Sequence, residues 1–563
     1  MSLQFVLGGS GSGKSTYVYE QVIERSIKEE NKRFFILVPD QFTMQTQMEL
    51  VNRHPRGGIL NIDVLSFSRL AYKISEETGG GEVSVLDDTG KSLVLRKVAQ
   101  ELKEEVPVLG SNLKKIGYIH EVKSAISEFM QYGIDQKKME EMLEYSSERS
   151  GLHGKLKDLG TLYQGFLNYI QEKFITTEET YDRLANQLER SALIKNSVVV
   201  MDGFTGFTPI QLKVIRKLMT CADEFIMTIT MDPREVGEEG KMQQLFSLSQ
   251  KTIRDVGRIA KEESIEVKPW IWMEGEKKRF LQASNLAHLE ENLFRYPYQM
   301  KKEEPQEIRI FQAKTIEDEV KNTCKQIRKL LKEGYCYRDI AVIVSDLESY
   351  ASQVEETFEE YEIPIFLDQT RKITLNPFVE YLRATIQILV KNYSYESMFH
   401  YLRSGMVDID REMVDKLENY CLATGVKGKK AWTTLFCSMI GRKGQDYSEK
   451  EKEEKGKELE ELNNARDKIA EALAVFKPGK QKVKEQILQL YDFIVKNQCQ
   501  KKIENYKNAF AMAGDGAKEK EYAQVYRLVM ELLNQITSLL GEEVLSWEEF
   551  GQILDAGFGE MQV

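Results

Sequence analysis

Short apolar runs, separated by helical patterns, recur at both ends of the first 230 residues. Runs without polar interruption are typical of parallel strands that are buried on both faces of a sheet. The pattern therefore predicts an α/β fold built on a parallel sheet. The predicted strands span residues 3–7, 34–39, 62–65, 198–202 and 224–230.

Residues 86–193 show a different pattern, in which apolar side chains such as Ile119, Val122 and Ile126 recur at steps of three and four. This spacing places them on one face of a helix. Because the strand pattern resumes at residue 198, the helical segment is predicted to be an insertion into the first α/β domain.

A second α/β pattern begins near residue 307, and beyond residue 377 the pattern is helical again as far as residue 540. A charged run at residues 449–461 predicts a solvated helix face or loop, with an interface for a partner or DNA as the alternative. The second pattern predicts strands at residues 307–312, 340–344 and 363–367 and a helix at 316–333. The expected domains are residues 1–85 with 195–290, the insertion 86–194, the start of a second α/β domain at 300–378, and a second helical insertion at 379–563.

Composition limits the class of protein. With 42% hydrophobic and 30% charged residues, the 563-residue chain has the composition of a globular protein with three or four structural units. No apolar stretch is long enough to span a membrane, and we expect a cytoplasmic protein. Six cysteines and five histidines show no spacing typical of metal sites. The net charge of −11 excludes a global positive field, so contact with nucleic acid requires a local patch or a partner.

The first motif with clear chemistry follows the first predicted strand. Residues 8–16 satisfy the pattern G-x-x-x-x-G-K-[ST], with a strand before it and a helix after it. In such a loop backbone N–H groups surround a phosphate, Lys14 reaches the β- and γ-phosphate oxygens, and the Ser15 hydroxyl ligates Mg²⁺. The predicted ligand is ATP with Mg²⁺. The predicted ATP-binding residues are Gly8, Gly9, Ser10, Gly11, Ser12, Gly13, Lys14, Ser15 and Thr16.

A second nucleotide signal is the apolar strand that ends at Asp202. In phosphate-loop proteins a carboxylate at this place holds Mg²⁺, and a glutamate that activates the attacking water commonly comes next. Here the next residue is Gly203, which has no group that could accept a proton. We therefore predict Ser15 and Asp202 as the Mg²⁺ residues and no catalytic residue in this chain.

Residues 202–211 are similar in spacing to the Asp-Glu-Phe-Gln-Asp…Gln motif of UvrD-like superfamily-1 helicases, with the aspartate, phenylalanine and final glutamine kept and the glutamate lost. The phosphate loop and residues 38–43 (VPDQFT), 66–72 (SFSRLAY) and 335–350 (YCYRDIAVIVSDLESY) resemble the AddB subunits of bacterial AddAB helicase–nucleases. The resemblance runs from residue 1 to about 378 and is more diffuse thereafter. It implies RecA-like helicase domains, 1A and 2A, that carry helical insertions, 1B and 2B.

The resemblance also implies a function. An AddB-like subunit pairs with an AddA-like helicase–nuclease subunit, acts on duplex and single-stranded DNA during double-strand break repair by homologous recombination, and reads the Chi hotspot sequence. The family's nuclease domain and iron–sulfur cluster are expected in a C-terminal part that this sequence does not contain, because the nuclease carboxylates and clustered cysteines are absent from it. We expect the chain to be the N-terminal part of such a subunit.

The polar and aromatic residues that follow the second and third predicted strands are suited to a single-strand groove. Amide, hydroxyl and guanidinium groups hydrogen-bond base edges or phosphates, and aromatic rings offer stacking faces. The AddB pattern places hotspot reading at these positions, joined by one of two phenylalanines after Asp202. The predicted DNA-binding residues are Gln41, Thr43, Phe67, Arg69, Tyr72, Phe204 and Phe207.

Three interpretations stay open at this point. The chain is a helicase–nuclease subunit that binds ATP and DNA but hydrolyses little ATP; or an active phosphate-loop enzyme, a translocase or a kinase, with its base elsewhere; or a scaffold with a relic loop. Gly203 argues against the second, and the intact Lys14-Ser15-Thr16 argues against the third.

Overall fold

The computed structural model describes residues 1–79, 85–110, 112, 116–171, 174–235, 244–273, 278–295, 297–368, 370–438 and 449–563. The strands are β1 (Ser2–Gly8), β2 (Arg33–Leu37), β3 (Ile62–Leu65), β4 (Val85–Leu86), β5 (Ile175–Thr176), β6 (Ser197–Met201), β7 (Glu224–Thr230), β8 (Glu266–Val267), β9 (Ile271–Trp272), β10 (Gln481–Lys482) and β11 (Val544–Leu545).

The helices of the first 300 residues are α1 (Lys14–Lys28), α2 (Thr43–Arg53), α3 (Phe67–Thr78), α4 (Asp88–Glu101), α5 (Ile116–Gln131), α6 (Gln136–Tyr145), α7 (Ser150–Ile170), α8 (Thr177–Leu188), α9 (Pro209–Cys221), α10 (Ser247–Glu262) and α11 (Ser284–Asn292). The later helices are α12 (Ile316–Lys332), α13 (Leu347–Glu360), α14 (Pro377–Val390), α15 (Tyr395–Leu402), α16 (Arg411–Thr424), α17 (Lys429–Thr433), α18 (Glu449–Leu473), α19 (Val483–Lys496), α20 (Cys499–Met512), α21 (Gly516–Leu540) and α22 (Trp547–Glu560).

The chain divides into two compact units. The first comprises Met1–Val83, Met130–Gly133 and Thr176–Gln369 and contains the nucleotide motif. The second is predominantly helical and comprises Ser84–Phe129, Ile134–Ile175 and Thr370–Val563. The finer division into four domains stays a prediction.

A parallel sheet organises the first unit. Its strand order is β3-β2-β6-β7-β1-β8, with β9 also paired to β1, and the first five strands of this order are those that the apolar runs predict. Successive side chains of these strands enter two separate cores: Phe35 and Leu37 lie on one face, and Phe34 and Ile36 lie on the other. Burial on both faces explains the unbroken apolar runs, and the predicted α/β fold class is confirmed.

The prediction of strands at residues 307–312, 340–344 and 363–367 is wrong for the described structure, in which these residues are not strands. Helices α12 and α13 do form, and they pack on each other through Val320 and Phe358. Ile310 and Ile343, however, are 96% and 93% exposed. An apolar run becomes a strand only when a neighbouring strand pairs with it, and no described residue pairs with these runs.

The second unit is built from long helices, as its sequence pattern predicts. Helix α22 packs against α4 and α14, and Glu560 near its end accepts hydrogen bonds from Ser92 and Lys123. The charged run at 449–461 lies in α18, and its described residues are mostly exposed, as a solvated helix face requires; the alternative of an interface for a partner or DNA stays open. Within the described ranges no helix combines the length and apolar character needed to cross a membrane.

Candidate nucleotide site and DNA-facing edge

The loop after β1 has the backbone that a phosphate site needs. Gly11 and Gly13 have positive φ angles of 74° and 92°, a region that side chains with a Cβ disfavour. Gly13 immediately precedes α1, so the loop leads into the positive end of that helix. The glycines of the motif therefore shape a turn of amide groups at a helix N-terminus.

Lys14 is buried beneath this loop. Its ammonium group donates hydrogen bonds to the carbonyl oxygens of Gly8 and Gly9, at 3.0 and 2.8 Å. The hydroxyl oxygen of Ser12 is also buried, and it has no hydrogen-bond partner in the part of the chain that the structure describes. A buried cation and an unsatisfied hydroxyl beside a ring of amide groups fit an anionic ligand such as a phosphate.

Asp202 lies at the carboxyl end of β6, next to the loop. Its Oδ1 accepts a hydrogen bond from the Ser15 hydroxyl at 3.1 Å and another from the Thr228 hydroxyl, and its Oδ2 accepts one from the Tyr19 hydroxyl at 2.7 Å. Burial, together with the charge of Asp202, raises the pKa of Tyr19 well above its usual value, so Tyr19 remains a donor. Ser15 and Asp202 supply oxygen atoms of the kind that Mg²⁺ prefers, and the predicted metal residues are brought together.

Sequence reasoning missed Tyr19 and Thr228. Tyr19 follows Ser15 by four residues, so both side chains project from one face of α1. Thr228 is a polar residue within the apolar strand β7, which neighbours β6. Helical spacing and the interruption of an apolar run were the signals that could have found them.

Gly203 has a φ angle of +80°. A side chain there would be strained, and its Cβ would lie 3.6 Å from Pro39 Cδ. The backbone conformation at the position of the expected glutamate therefore favours glycine. The residue at this position also has no carboxylate.

A second charged cluster, which sequence reasoning also missed, lies beyond the end of β7. Asp232 accepts hydrogen bonds from both Arg234 and Arg295, the latter at 3.0 Å. Burial opposes ionisation of Asp232, but the hydrogen bonds from these arginines hold its pKa well below its ordinary value. The Arg295 guanidinium also lies 4.7 Å from the centre of the Phe246 ring. The sequence signal for this cluster was an aspartate that follows a strand and precedes an arginine by two residues.

The three strands that precede the predicted DNA-binding residues are neighbours. Strands β3 and β6 flank β2, and all three are parallel, so their exits share one edge of the sheet. Gln41, in the turn after β2, and Arg69 and Tyr72, on α3 after β3, are exposed, Tyr72 to 73%. The segments that carry them therefore follow strands that end at the same edge of the sheet, and DNA binding by these residues stays a prediction.

The expectation that Phe67 offers a stacking face is corrected by the structure. Phe67 is only 4% exposed and lies on the core face of α3, where its ring contacts those of Tyr181 and Phe204 at 6.0 and 5.7 Å. Thr43 is also buried, and its hydroxyl donates to the Asp40 carbonyl oxygen. Phe67 and Thr43 are the first residues of α3 and α2, whose apolar faces pack on the sheet. Both side chains therefore stabilise the starts of these helices and do not face solvent.

Phe204 and Phe207 are both partly buried, with ring centres 5.3 Å apart. Phe204 contacts Phe67, so the aromatic side chains after β6 continue the core beneath α3. Ser68, which sequence reasoning did not select, is exposed next to Arg69 and forms a hydrogen bond with Tyr181. The sequence signal for Ser68 was its position beside Arg69.

Two family models match overlapping parts of the chain. The family described as ADDB, N-terminal matches residues 5–290, and the family described as UvrD-like helicase C-terminal domain matches residues 273–555. An ATP-dependent helicase/deoxyribonuclease subunit from Lachnoclostridium phytofermentans is 39% identical over the whole chain and 49% of its own length. The proteins of the same name from Caldanaerobacter subterraneus and Clostridium kluyveri are 34% and 33% identical, again over the whole chain, with 48% and 49% of their own lengths covered. The chain spans about half the length of the curated relatives it matches.

Proposed function

The chain belongs to the ADDB family, and from this premise we propose that it is the ATP- and DNA-binding part of a helicase–nuclease subunit. The complete protein acts with an AddA-like partner in the bacterial cytoplasm, as a heterodimer that processes double-strand breaks for homologous recombination. The arrangement of Lys14, Ser15 and Asp202 at the end of the sheet carries the proposal.

ATP binds at residues 8–16 in this proposal. The loop amides and Lys14 hold the phosphates, while Ser15 and Asp202 hold Mg²⁺, which neutralises phosphate charge when bound. Tyr19 and Thr228 donate to the Asp202 carboxylate, and thereby fix the direction in which its oxygens face the Ser15 hydroxyl. These residues bind and orient the nucleotide.

Hydrolysis by this chain is proposed to be weak. The position after Asp202 lacks a proton acceptor, and its backbone disfavours any side chain. A competent phosphate-loop translocase is the second candidate, favoured by the intact loop and Mg²⁺ residues. The two differ in whether DNA stimulates ATP hydrolysis without the partner.

DNA lies across the shared exit edge of β2, β3 and β6 in this proposal. Gln41 and Arg69 contact base edges or phosphates, and Tyr72 stacks on a base. We favour base reading, and with it recognition of the Chi hotspot, because the resemblance to AddB subunits implies hotspot reading in this region. Phe67 and Thr43 act indirectly, by supporting the turns that carry the exposed residues.

Residues 300–378 begin a second α/β domain in this proposal. The apolar side chains of Ile310, Ile343 and Phe366 are exposed although their sequence pattern is that of buried strands. The match of residues 273–555 to the UvrD-like helicase C-terminal domain supports this assignment, which corresponds to the 2A domain. The boundaries 1–85, 195–290, 86–194 and 379–563 remain the proposed limits of the other domains.

The direct test is nucleotide binding by a Lys14→Ala variant. The change removes a charge-assisted phosphate contact and should weaken binding of Mg²⁺–ATP roughly ten- to a hundred-fold, corresponding to ~1.5–3 kcal/mol. Equilibrium titration with ATP measures the effect, and ATPase assays on single-stranded DNA with and without the AddA-like partner measure turnover. Unchanged affinity would refute the site. Strong DNA-stimulated hydrolysis by the unpartnered wild-type chain would instead favour the translocase.

A further inference from the structure

A carboxylate contacts the phosphate loop directly. The Oε1 atom of Glu290, on helix α11, accepts a hydrogen bond from the backbone N–H of Ser10 at 3.1 Å. Ser10 belongs to the turn whose amide groups are shaped to surround a phosphate. The side chain therefore places a negative charge against a group that an anionic ligand would use.

The position of Lys14 shows which end of the loop is involved. A phosphate-loop lysine reaches the β- and γ-phosphate oxygens, and the Lys14 ammonium lies against the carbonyl oxygens of Gly8 and Gly9. Ser10 is the next residue of the loop. Glu290 thus contacts the end of the loop that faces the outer phosphates of a nucleotide.

The surroundings of Glu290 form a cavity of about 380 Å³ at this end of the loop. The chain segment that leads into α11 also packs closely on the loop, because a Cβ at Gly11 would lie 3.2 Å from both Arg279 and Phe280. The charged residues of its lining are Asp232, Arg234, Glu290, Glu291 and Arg295, and the loop contributes Gly8 and Gly9.

The cations in this cavity are shared between two carboxylates. Arg234 and Arg295 both donate to Asp232, and the Arg295 guanidinium also forms an ion pair with Glu290 at 3.9 Å. Of these two carboxylates, Glu290 is the one that accepts a hydrogen bond from the loop itself, so its negative charge lies at Ser10. Two like charges a few ångströms apart in a partly buried site repel each other appreciably.

We propose that Glu290 is a specificity-determining residue, which weakens binding of a nucleoside triphosphate at the loop more than binding of the diphosphate. A triphosphate brings its terminal charge to the end of the loop that Glu290 occupies, so the side chain must move away from Ser10. A diphosphate ends before that point and leaves the contact in place. The inference rests on the proposed nucleotide site.

Glu290→Gln removes the charge and keeps the shape. Glu266→Gln, at an exposed position of β8 beside the start of β1 and away from the loop, is the control. The full 563-residue chain is titrated with Mg²⁺–ATPγS and with Mg²⁺–ADP by calorimetry. We expect Glu290→Gln to tighten ATPγS binding by about tenfold and ADP binding by less than about threefold. Glu266→Gln should change either affinity by less than about twofold.

Equal effects on the two nucleotides, or no effect of Glu290→Gln, would overturn the inference. A Lys14→Ala titration run in parallel distinguishes this failure from failure of the nucleotide site. If Lys14→Ala weakens binding while Glu290→Gln changes nothing, only the role of Glu290 is wrong. If Lys14→Ala is also without effect, the nucleotide lies elsewhere and both proposals fall. Thermal unfolding of each variant checks that the fold is kept.

Discussion

At the scale of single residues, the nucleotide site depends on how one carboxylate is held. Asp202 receives hydrogen bonds from Ser15, Thr228 and Tyr19, which come from a loop–helix junction, a neighbouring strand and the same helix one turn later. These donors leave the carboxylate little rotational freedom. The adjacent Gly203, by contrast, provides a backbone turn and no chemistry.

Placing a glutamate at Gly203 should not create an ATPase. The φ angle of +80° strains any side chain, and we expect Gly203→Glu to lower the free energy of unfolding by ~1–3 kcal/mol. Gly203→Ala carries the same strain without the carboxylate and is the matched control. Urea unfolding and DNA-stimulated ATPase assays on both variants make the comparison. Hydrolysis gained by the glutamate variant alone would show that the missing carboxylate was the sole defect.

At the scale of elements, helix α3 divides its residues between two tasks. Phe67, Leu70 and Ile74 pack on the sheet, and Arg69 and Tyr72 face outward at the strand exits. Ser66 caps the helix by accepting a hydrogen bond from the Arg69 N–H, which fixes where the helix begins. The start of the helix decides which side chains lie on its outward face, where the proposed DNA contacts are made.

Substitutions on the two faces of α3 should therefore have different effects. Phe67→Ala removes a buried ring and should cost ~3–5 kcal/mol of stability. Tyr72→Ala should change stability by less than about 0.5 kcal/mol but weaken single-stranded DNA binding by ~1–3 kcal/mol. Urea unfolding and fluorescence anisotropy measure the two quantities, with Tyr72→Phe as a control that keeps the stacking face. A Phe67→Ala protein of wild-type stability would contradict the buried position.

At the scale of the whole molecule, function is proposed to depend on a second subunit. The net charge of −11 provides no general attraction to DNA, so binding must use the local edge or the partner's surface. The curated relatives that the chain matches are about twice as long, and Ile310 and Ile343 are exposed although their sequence pattern is that of buried strands. Assays of DNA processing therefore need the complete subunit and its partner.

Gln41→Ala and Arg69→Ala, each in the complete subunit bound to its partner, should abolish the hotspot response and leave unwinding intact. A base-reading arginine contributes ~1–3 kcal/mol at one position, whereas a phosphate contact weakens all sequences alike and lowers the salt dependence. Product formation on matched DNA with and without the hotspot measures the response. Wild-type behaviour of both variants would place the reading site elsewhere.

The sequence alone determined the parallel sheet, the phosphate loop and the shared exit edge. Each follows from a local pattern: apolar runs for strands buried on both faces, glycines before a lysine and serine, and polar turns where parallel strands end. These features depend on residues close together in the chain, so their order and spacing are sufficient to predict them.

Only the tertiary structure decided which side chains reach the sites. Phe67 and Tyr72 are both aromatic in the sequence, but the docking of α3 buries one and exposes the other. The contact of Glu290 with Ser10 joins residues 280 positions apart, and no local pattern records it. The apolar runs at residues 307–312 and 340–344 predicted strands, and this prediction was wrong. A strand is stabilised by a neighbouring strand, which its own sequence does not specify.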